Sequence, residues 1–332
     1  MLRPRNLSTR EIGATTRHRS IVATCARETT RLSLWPEGDN LMVMTDIHTT
    51  VPGVRHETVL VNGTKLHYVS AGDGGEPVLL VHGFPETWWA FRRLIPLLAA
   101  RHRVYAVDLR GFGDSEIADE TYSSAVAAED LHALLLRLSA GPVHVVGQDV
   151  SGGVVYRLAA THPEDFASLT AVESGLAGFG AERLGDATHG GAWYIGGLAA
   201  PGIPGLLFEP AAHDFIEHLY SSYGVSTSAV TPDDVAEFAR TFGRPGGFSG
   251  AAGLYRGMLT EGAELRTLAQ TAPLTMPVTT VGSRAKGFTH AAFSAVTELQ
   301  VAAIQLDDVG HYVAQEAPER LAQTLLAAFA AV

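Results

Sequence analysis

Chemistry concentrates at Asp149, in the centre of VGQDVSGG, residues 146–153. A run of β-branched residues stops there at a Gly-x-Asp-x-Ser-Gly step, and a helical pattern begins. A strand that reverses sharply into a helix lifts one side chain clear of the backbone at the sheet's carboxyl edge. Small residues on either side let the turn close. Gly147, Ser151 and Gly152 are those small residues. Such an elbow usually presents serine. An aspartate keeps the geometry and changes the reaction, because a carboxylate is already anionic and can attack an sp³ carbon without a base to form a covalent ester. Hydrolysis of that ester does need a base, and an imidazole near its neutral pKa can serve. The rival reading of Asp149 is a helix cap, since Asp is a favoured cap residue.

The elements that must position this residue are written along the chain. ETVLVNG and KLHYVSAG, from Glu57 onward, are alternating strands joined by Asn62-Gly63, a strong hairpin turn. PVLLVHG (77–83) is a continuous apolar run that reads as a strand buried on both faces, followed by helical spacing from Trp88 to Ala100. RVYAVDLRGFGDS (103–115) repeats the strand-then-glycine-turn form. A helix over 123–138 precedes the strand VHVVGQD, the helix VVYRLAATHP and the strand SLTAVES (168–174). Residues 175–258 change to Gly/Pro-punctuated helical pieces rich in aromatic residues, which predicts a helical cap. Alternation resumes with PVTTVGS (277–283), a helix near 289–298, VAAIQLDDVGH (301–311) and a last helix over 316–330. The pattern predicts an α/β core over 51–174 and 259–332, with a mostly parallel sheet covered on both faces.

Composition narrows the partners. The 332 residues carry a net charge of −11, and no basic stripe runs through the body of the chain. That argues against nucleic acid and against an anionic membrane surface. The richest apolar stretch, GLLF at 205–208, is boxed in by Pro201, Pro204 and Pro210, far short of a membrane span. The single cysteine, Cys25, allows no intramolecular disulfide and no cysteine metal site. Residues 1–50 are rich in Arg, Ser and Thr without helical or strand period, which predicts a disordered extension. No apolar stretch follows the early arginines as a secretory signal requires, so a cytoplasmic protein is expected.

The order of hairpin, HGFPETWW (82–89), DLRGFGDS (108–115), GQDVSGG (147–153), helical cap and VGHYVAQEAPERLA (309–322) resembles the α/β-hydrolases of the epoxide hydrolase and dehalogenase branch. The resemblance covers nearly everything from residue 57 onward. It implies an α/β-hydrolase fold with an eight-stranded sheet, no cofactor, no metal and a small-molecule substrate, and it leaves room for a homodimer. It also implies that His311, which follows a strand and Gly310, is the base. The commoner seat for the acid that orients this imidazole, after PVTTVGS, holds no Asp or Glu in RAKGFTH. The alternative seat, after the strand that follows the elbow helix, holds Glu173, as in Cif-type bacterial epoxide hydrolases. Asp307 and Asp308 stand nearer in sequence but just before His311, where they are expected to point elsewhere. The oxyanion of the second step needs two backbone donors, and by position these are the N–H groups of Phe84 and Val150. His82 is read as a structural neighbour of that loop.

The leaving group separates the candidate substrates. An epoxide oxygen becomes an alkoxide and needs phenol donors, whereas a halide needs indole or amide donors beside the nucleophile. Phe84 stands where haloalkane dehalogenases usually carry Asn, and Val150 stands in the place of their halide-binding Trp. Haloacetate dehalogenases place arginines just after the nucleophile, and Val150, Ser151 and Gly152 stand there instead. The expectation is an epoxide hydrolase acting through an Asp149 ester. A dehalogenase using the same Asp-His-Glu set, or a non-catalytic ligand-binding protein, is the alternative. Tyr255 sits where epoxide hydrolases place a ring-opening phenol. Tyr194 stands where the Cif-type enzymes have His, and would restore the paired phenols of the wider family. Tyr220, Tyr223 and His189 are in reserve. Trp88, Trp89, Trp193, Phe179 and Phe208 are the expected apolar pocket walls, though aromatic residues in a cap are more often core.

Overall fold

The computed structural model describes residues 50–118, 122–226, 228–283 and 287–332. The extension expected to be disordered lies outside the described residues apart from Thr50, and so do Cys25 and residues 284–286 of the RAKGFTH loop.

Asn62 and Gly63 both take positive φ, 43° and 77°, as a two-residue hairpin turn of this hand requires. They join β1 (Arg55–Val61) to β2 (Thr64–Ala71), with Val61 opposite Thr64. β3 (Pro77–Val81) is buried along its whole length, and its side chains alternate between two cores. Leu79 and Val81 face one core, Val78 and Leu80 the other, which is the period of two read against a sheet covered on both sides. The single helix expected over Trp88–Ala100 is instead one turn of 3₁₀ helix, Trp88–Phe91, followed by α1 (Ile95–Ala99). Pro96 explains the break: it has no N–H for a helix interior and is tolerated only in the first turn, where it sits.

β4 (Arg103–Val107), α2 (Ser124–Leu138), β5 (Val143–Gln148), α3 (Gly152–Thr161) and β6 (Phe166–Val172) alternate as the pattern predicts. The Ser123 hydroxyl caps α2 by accepting from the Val126 N–H. Ala127, Leu131, Leu134 and Leu135 bury one face of the helix at its own period. The chain between β6 and β7 is helical, with α4 (Trp193–Ala199), α5 (Ala212–Tyr223), α6 (Pro232–Phe242), α7 (Ser249–Thr260) and α8 (Gly262–Thr271). Thr231 and Asp234 start α6 with a reciprocal capping box. α7 runs unbroken across residues 258 and 259, where the sequence pattern placed a change of domain. β7 (Val278–Gly282), α9 (Phe288–Ser294), β8 (Ala302–Gln305), α10 (Val313–Glu316) and α11 (Pro318–Phe329) complete the chain.

The eight strands lie in the order β1-β2-β4-β3-β5-β6-β7-β8. β2 is antiparallel to both neighbours and every other pair is parallel. The connection from β3 runs to β4 on one side, and the connection from β5 runs to β6 on the other. That reversal opens a crevice beyond the carboxyl ends of β3 and β5, where parallel sheets bind ligands.

Candidate active site

β5 delivers Asp149 into that crevice through a backbone that only small neighbours permit. Asp149 itself has φ of 52°, a left-handed conformation that costs a side-chain residue free energy and is held by its surroundings. A Cβ on Gly83 would come within 2.5 Å of the Asp149 Cβ, and one on Gly152 within 2.7 Å of the Ser174 Cβ. The turn is tied by Ser151, whose hydroxyl accepts from the Gln148 N–H at 2.9 Å and donates to the Gln148 carbonyl at 2.7 Å. Asp149 Oδ2 accepts from the Phe84 N–H at 2.9 Å. Its bond is therefore made across the crevice to the loop after β3, which does not fit a simple helix cap.

The elements that follow bring the other predicted groups to the same place. His311, between β8 and α10, has Nε2 3.5 Å from Asp149 Oδ1 and Nδ1 3.4 Å from Glu173 Oε2. Glu173 follows β6 at φ 48°, and its other oxygen accepts from the Ser283 N–H at the end of β7. One bond from a sheet-edge amide and one toward the imidazole fix the carboxylate's orientation. Asp308, the nearer acid in sequence, is exposed and paired with Arg320 at 2.8 Å. Burial alone lowers the His311 pKa, but hydrogen bonding to Asp149 and Glu173 and their charges outweigh it and push the value up to about 10. Before any reaction, the imidazole between the two carboxylates is an imidazolium.

Tyr255 of α7 and Tyr194 of α4 reach the same cavity as Asp149 and His311. Their rings meet edge to face with centroids 6.1 Å apart. Burial first, and then the Asp149 charge, raise both phenol pKa values, so both groups keep their protons. The Phe84 ring packs against both, at 5.4 Å from Tyr255 and 6.0 Å from Tyr194. Val150 also lines the cavity, and the Phe84–Pro85 bond is cis. His82 is buried behind the loop, bonded to the Gly83 carbonyl and accepting from the Leu109 N–H, as its structural reading requires.

The expected pocket walls need correction. Trp88 is 2% exposed and packs edge-on to His56 and Trp89 in the core on the other face of the sheet. Trp89 donates its indole N–H to Asp234 at 2.8 Å. Trp193 turns out to solvent, 57% exposed, while Phe179 and Phe208 pack within the helical core. Of the reserve groups, Tyr223 lines the cavity. Tyr220 is buried away from it, accepting from Gln315 at 3.1 Å, and His189 is exposed beside Asp186. The cavity, about 500 Å³, is walled mainly by aliphatic residues, among them Leu184, Ile195, Leu254, Met258 and Leu265, with Phe288 as a further apolar side.

Two polar groups at the site were not expected from sequence. Glu86, in HGFPE, is fully buried behind the loop after β3 and accepts from the Gly83 N–H and from the side-chain amides of Gln148 and Gln315. Burial, aided by the Asp149 charge, raises its pKa to about 7. Glu261, at the junction of α7 and α8, lines the cavity with Ser124. The HGFP motif drew attention to its backbone, and the acid one residue on carried no signal that it turns inward.

An aspartate elbow on a doubly covered, mostly parallel sheet, with an imidazole reached from the segment after β8, defines the α/β-hydrolase class. Residues 76–201 match the family described as alpha/beta hydrolase fold. A soluble epoxide hydrolase of a Corynebacterium strain is 29% identical over 295 residues, covering 83% of this chain and 98% of that protein. Among solved structures, Cfl2 from Burkholderia cenocepacia superposes with a TM-score of 0.76 at 29% identity, covering 83% of this chain and 96% of the other. The epoxide hydrolase CorEH superposes with 0.75 at 28%, covering 84% and 99%. The chain has the α/β-hydrolase fold.

Proposed function

We propose that this α/β-hydrolase opens epoxides to vicinal diols through an ester on Asp149. The chain is an epoxide hydrolase, the activity that the names of its Corynebacterium relative and of CorEH carry. The observation that carries the mechanism is the pair of protonated phenols facing the elbow carboxylate across one cavity.

Asp149 attacks a ring carbon and the carbon–oxygen bond breaks. Tyr255 and Tyr194 donate to the departing oxygen, which takes up a proton as the alkoxide forms. Oδ2, already held by the Phe84 N–H, becomes the carbonyl oxygen of the ester, and Oδ1 is the attacking atom. Esterification removes the Asp149 charge, one of the two that hold the His311 pKa up, so His311 gives up its proton, which restores the phenol that protonated the alkoxide, and the neutral imidazole is left to act as base. His311, oriented by Glu173, then takes a proton from water as the water attacks the ester carbonyl. The oxyanion rests on the N–H groups of Phe84 and Val150 before the diol leaves. The helices from α4 to α7 serve as the cap, placing both phenols and closing the cavity over the elbow.

The test is product analysis on paired substrates. Epoxides are expected to yield diols, with no halide from haloalkanes of matching size. Halide release without any diol would replace this reading by a dehalogenase.

A further inference from the structure

The cavity does not end in apolar side chains. Its lining joins Asp149 and His311 to Ser124 and Glu261 and to the aliphatic side chains of Leu254, Met258 and Leu265. Glu261 is held in a fixed frame. Its Oε2 accepts from the Ser124 hydroxyl and from Arg157 at 3.2 Å, and Arg157 also donates to Ser124 Oγ at 3.0 Å. Oε1 accepts from the Ser124 N–H at 3.4 Å, longer than an ordinary N–H···O bond, which leaves this oxygen capacity for a further donor.

A missing side chain keeps that oxygen accessible. A Cβ on Gly257 would come within 2.5 Å of Glu261 Oε1, and Gly257 lines the cavity beside Glu261. Charge points the same way. Arg157 is shared with Glu264 at 2.7 Å, so one guanidinium faces two carboxylates at this end. At the elbow Asp149 and Glu173 flank the one imidazole of His311. A ligand that extends away from the elbow therefore meets an acceptor with negative charge in surplus.

We propose that Glu261 anchors the far end of the substrate, so that the preferred epoxides carry a hydroxyl at the end remote from the ring and those ending in a carboxylate are disfavoured. The inference rests on the epoxide hydrolase reading and names its substrate class. Ser124 and Arg157 are positioning residues, acting through Glu261.

The experiment compares kcat/KM for three probes of one chain length: terminal epoxyoctane, its ω-hydroxy analogue and its ω-carboxylate. In the wild-type enzyme the hydroxy probe is expected to exceed the methyl-ended probe by about tenfold, the scale of one hydrogen bond to a charged group. The carboxylate is expected to fall below both. In Glu261→Gln, which keeps shape and removes charge, the hydroxyl preference is expected to shrink and the carboxylate to recover relative to the methyl-ended probe. A methyl-ended or carboxylate probe that equals the hydroxy probe in the wild type would overturn the assignment, whether or not the variant folds. So would an unchanged order in a folded Glu261→Gln. Turnover of the three probes in the wrong order leaves the epoxide hydrolase reading standing, whereas no turnover of any epoxide removes both.

Discussion

At the scale of single residues, the proposed mechanism needs each group in one protonation state that changes at one moment. Tyr255 and Tyr194 keep their protons because burial and the Asp149 charge both oppose the phenolate, which is the state a donor to an alkoxide needs. Tyr255→Phe is expected to lower the rate of ester formation by about a hundredfold, the ordinary scale of one proton donor. Rapid-quench measurement of the ester reads that step, and an unchanged rate would leave Tyr194 as the sole donor. His311 behaves oppositely, since its raised pKa depends on two carboxylates. In Asp149→Asn its titration, followed by NMR of the imidazole, should shift down toward the ordinary value of 6.5. A titration that stays near 10 would show that Asp149 does not control the base.

Elements explain what was legible in the sequence. Asp149 and Glu173 stand at strand ends and His311 in the loop after β8, and the alternation of strands and helices counts those places off in order, so their convergence could be read from the sequence. Tyr194 and Tyr255 lie on helices of the excursion between β6 and β7 and were legible only by resemblance. The direction of Trp88, Trp89, Trp193 and Phe179 was not legible, because an aromatic residue satisfies the same pattern in a core, at a surface or on a pocket wall. One turn of 3₁₀ helix sends Trp88 to the far face of the sheet. Glu86 was hidden for a related reason: nothing local distinguishes a buried acid from a solvated one. Its partners come from β5, α10 and the loop after β3, so it ties three segments behind the elbow. Glu86→Ala would strand those donors in the core, and a loss of about 3 kcal/mol is expected in denaturant unfolding. Wild-type stability in that variant would mean water replaces the carboxylate without cost.

The whole molecule carries the charge arrangement of the site as a pH dependence. His311 has a folded-state pKa raised from 6.5 to about 10. Its imidazolium therefore adds stability that is fully present below pH 6.5 and is lost as pH rises through about 10. Thermal unfolding across that window should show the wild type losing stability toward alkaline pH, and Asp149→Asn losing less of it over the same range. Equal slopes would assign the alkaline loss to other groups. The fold contributes the frame for this arrangement: a sheet whose connections reverse at β3 exposes the Phe84 N–H and Asp149 to one another, and the helices between β6 and β7 supply the phenols from above.

The covalent ester on Asp149 is the central claim, and a single turnover in heavy-oxygen water addresses it directly. With enzyme in excess over epoxide, the peptide containing Asp149 should gain one heavy oxygen while the diol gains none, because water attacks the ester carbonyl and the oxygen delivered to the substrate comes from the enzyme. Heavy oxygen in the diol with none in Asp149 would mean that water opens the ring itself, and the ester mechanism would be wrong.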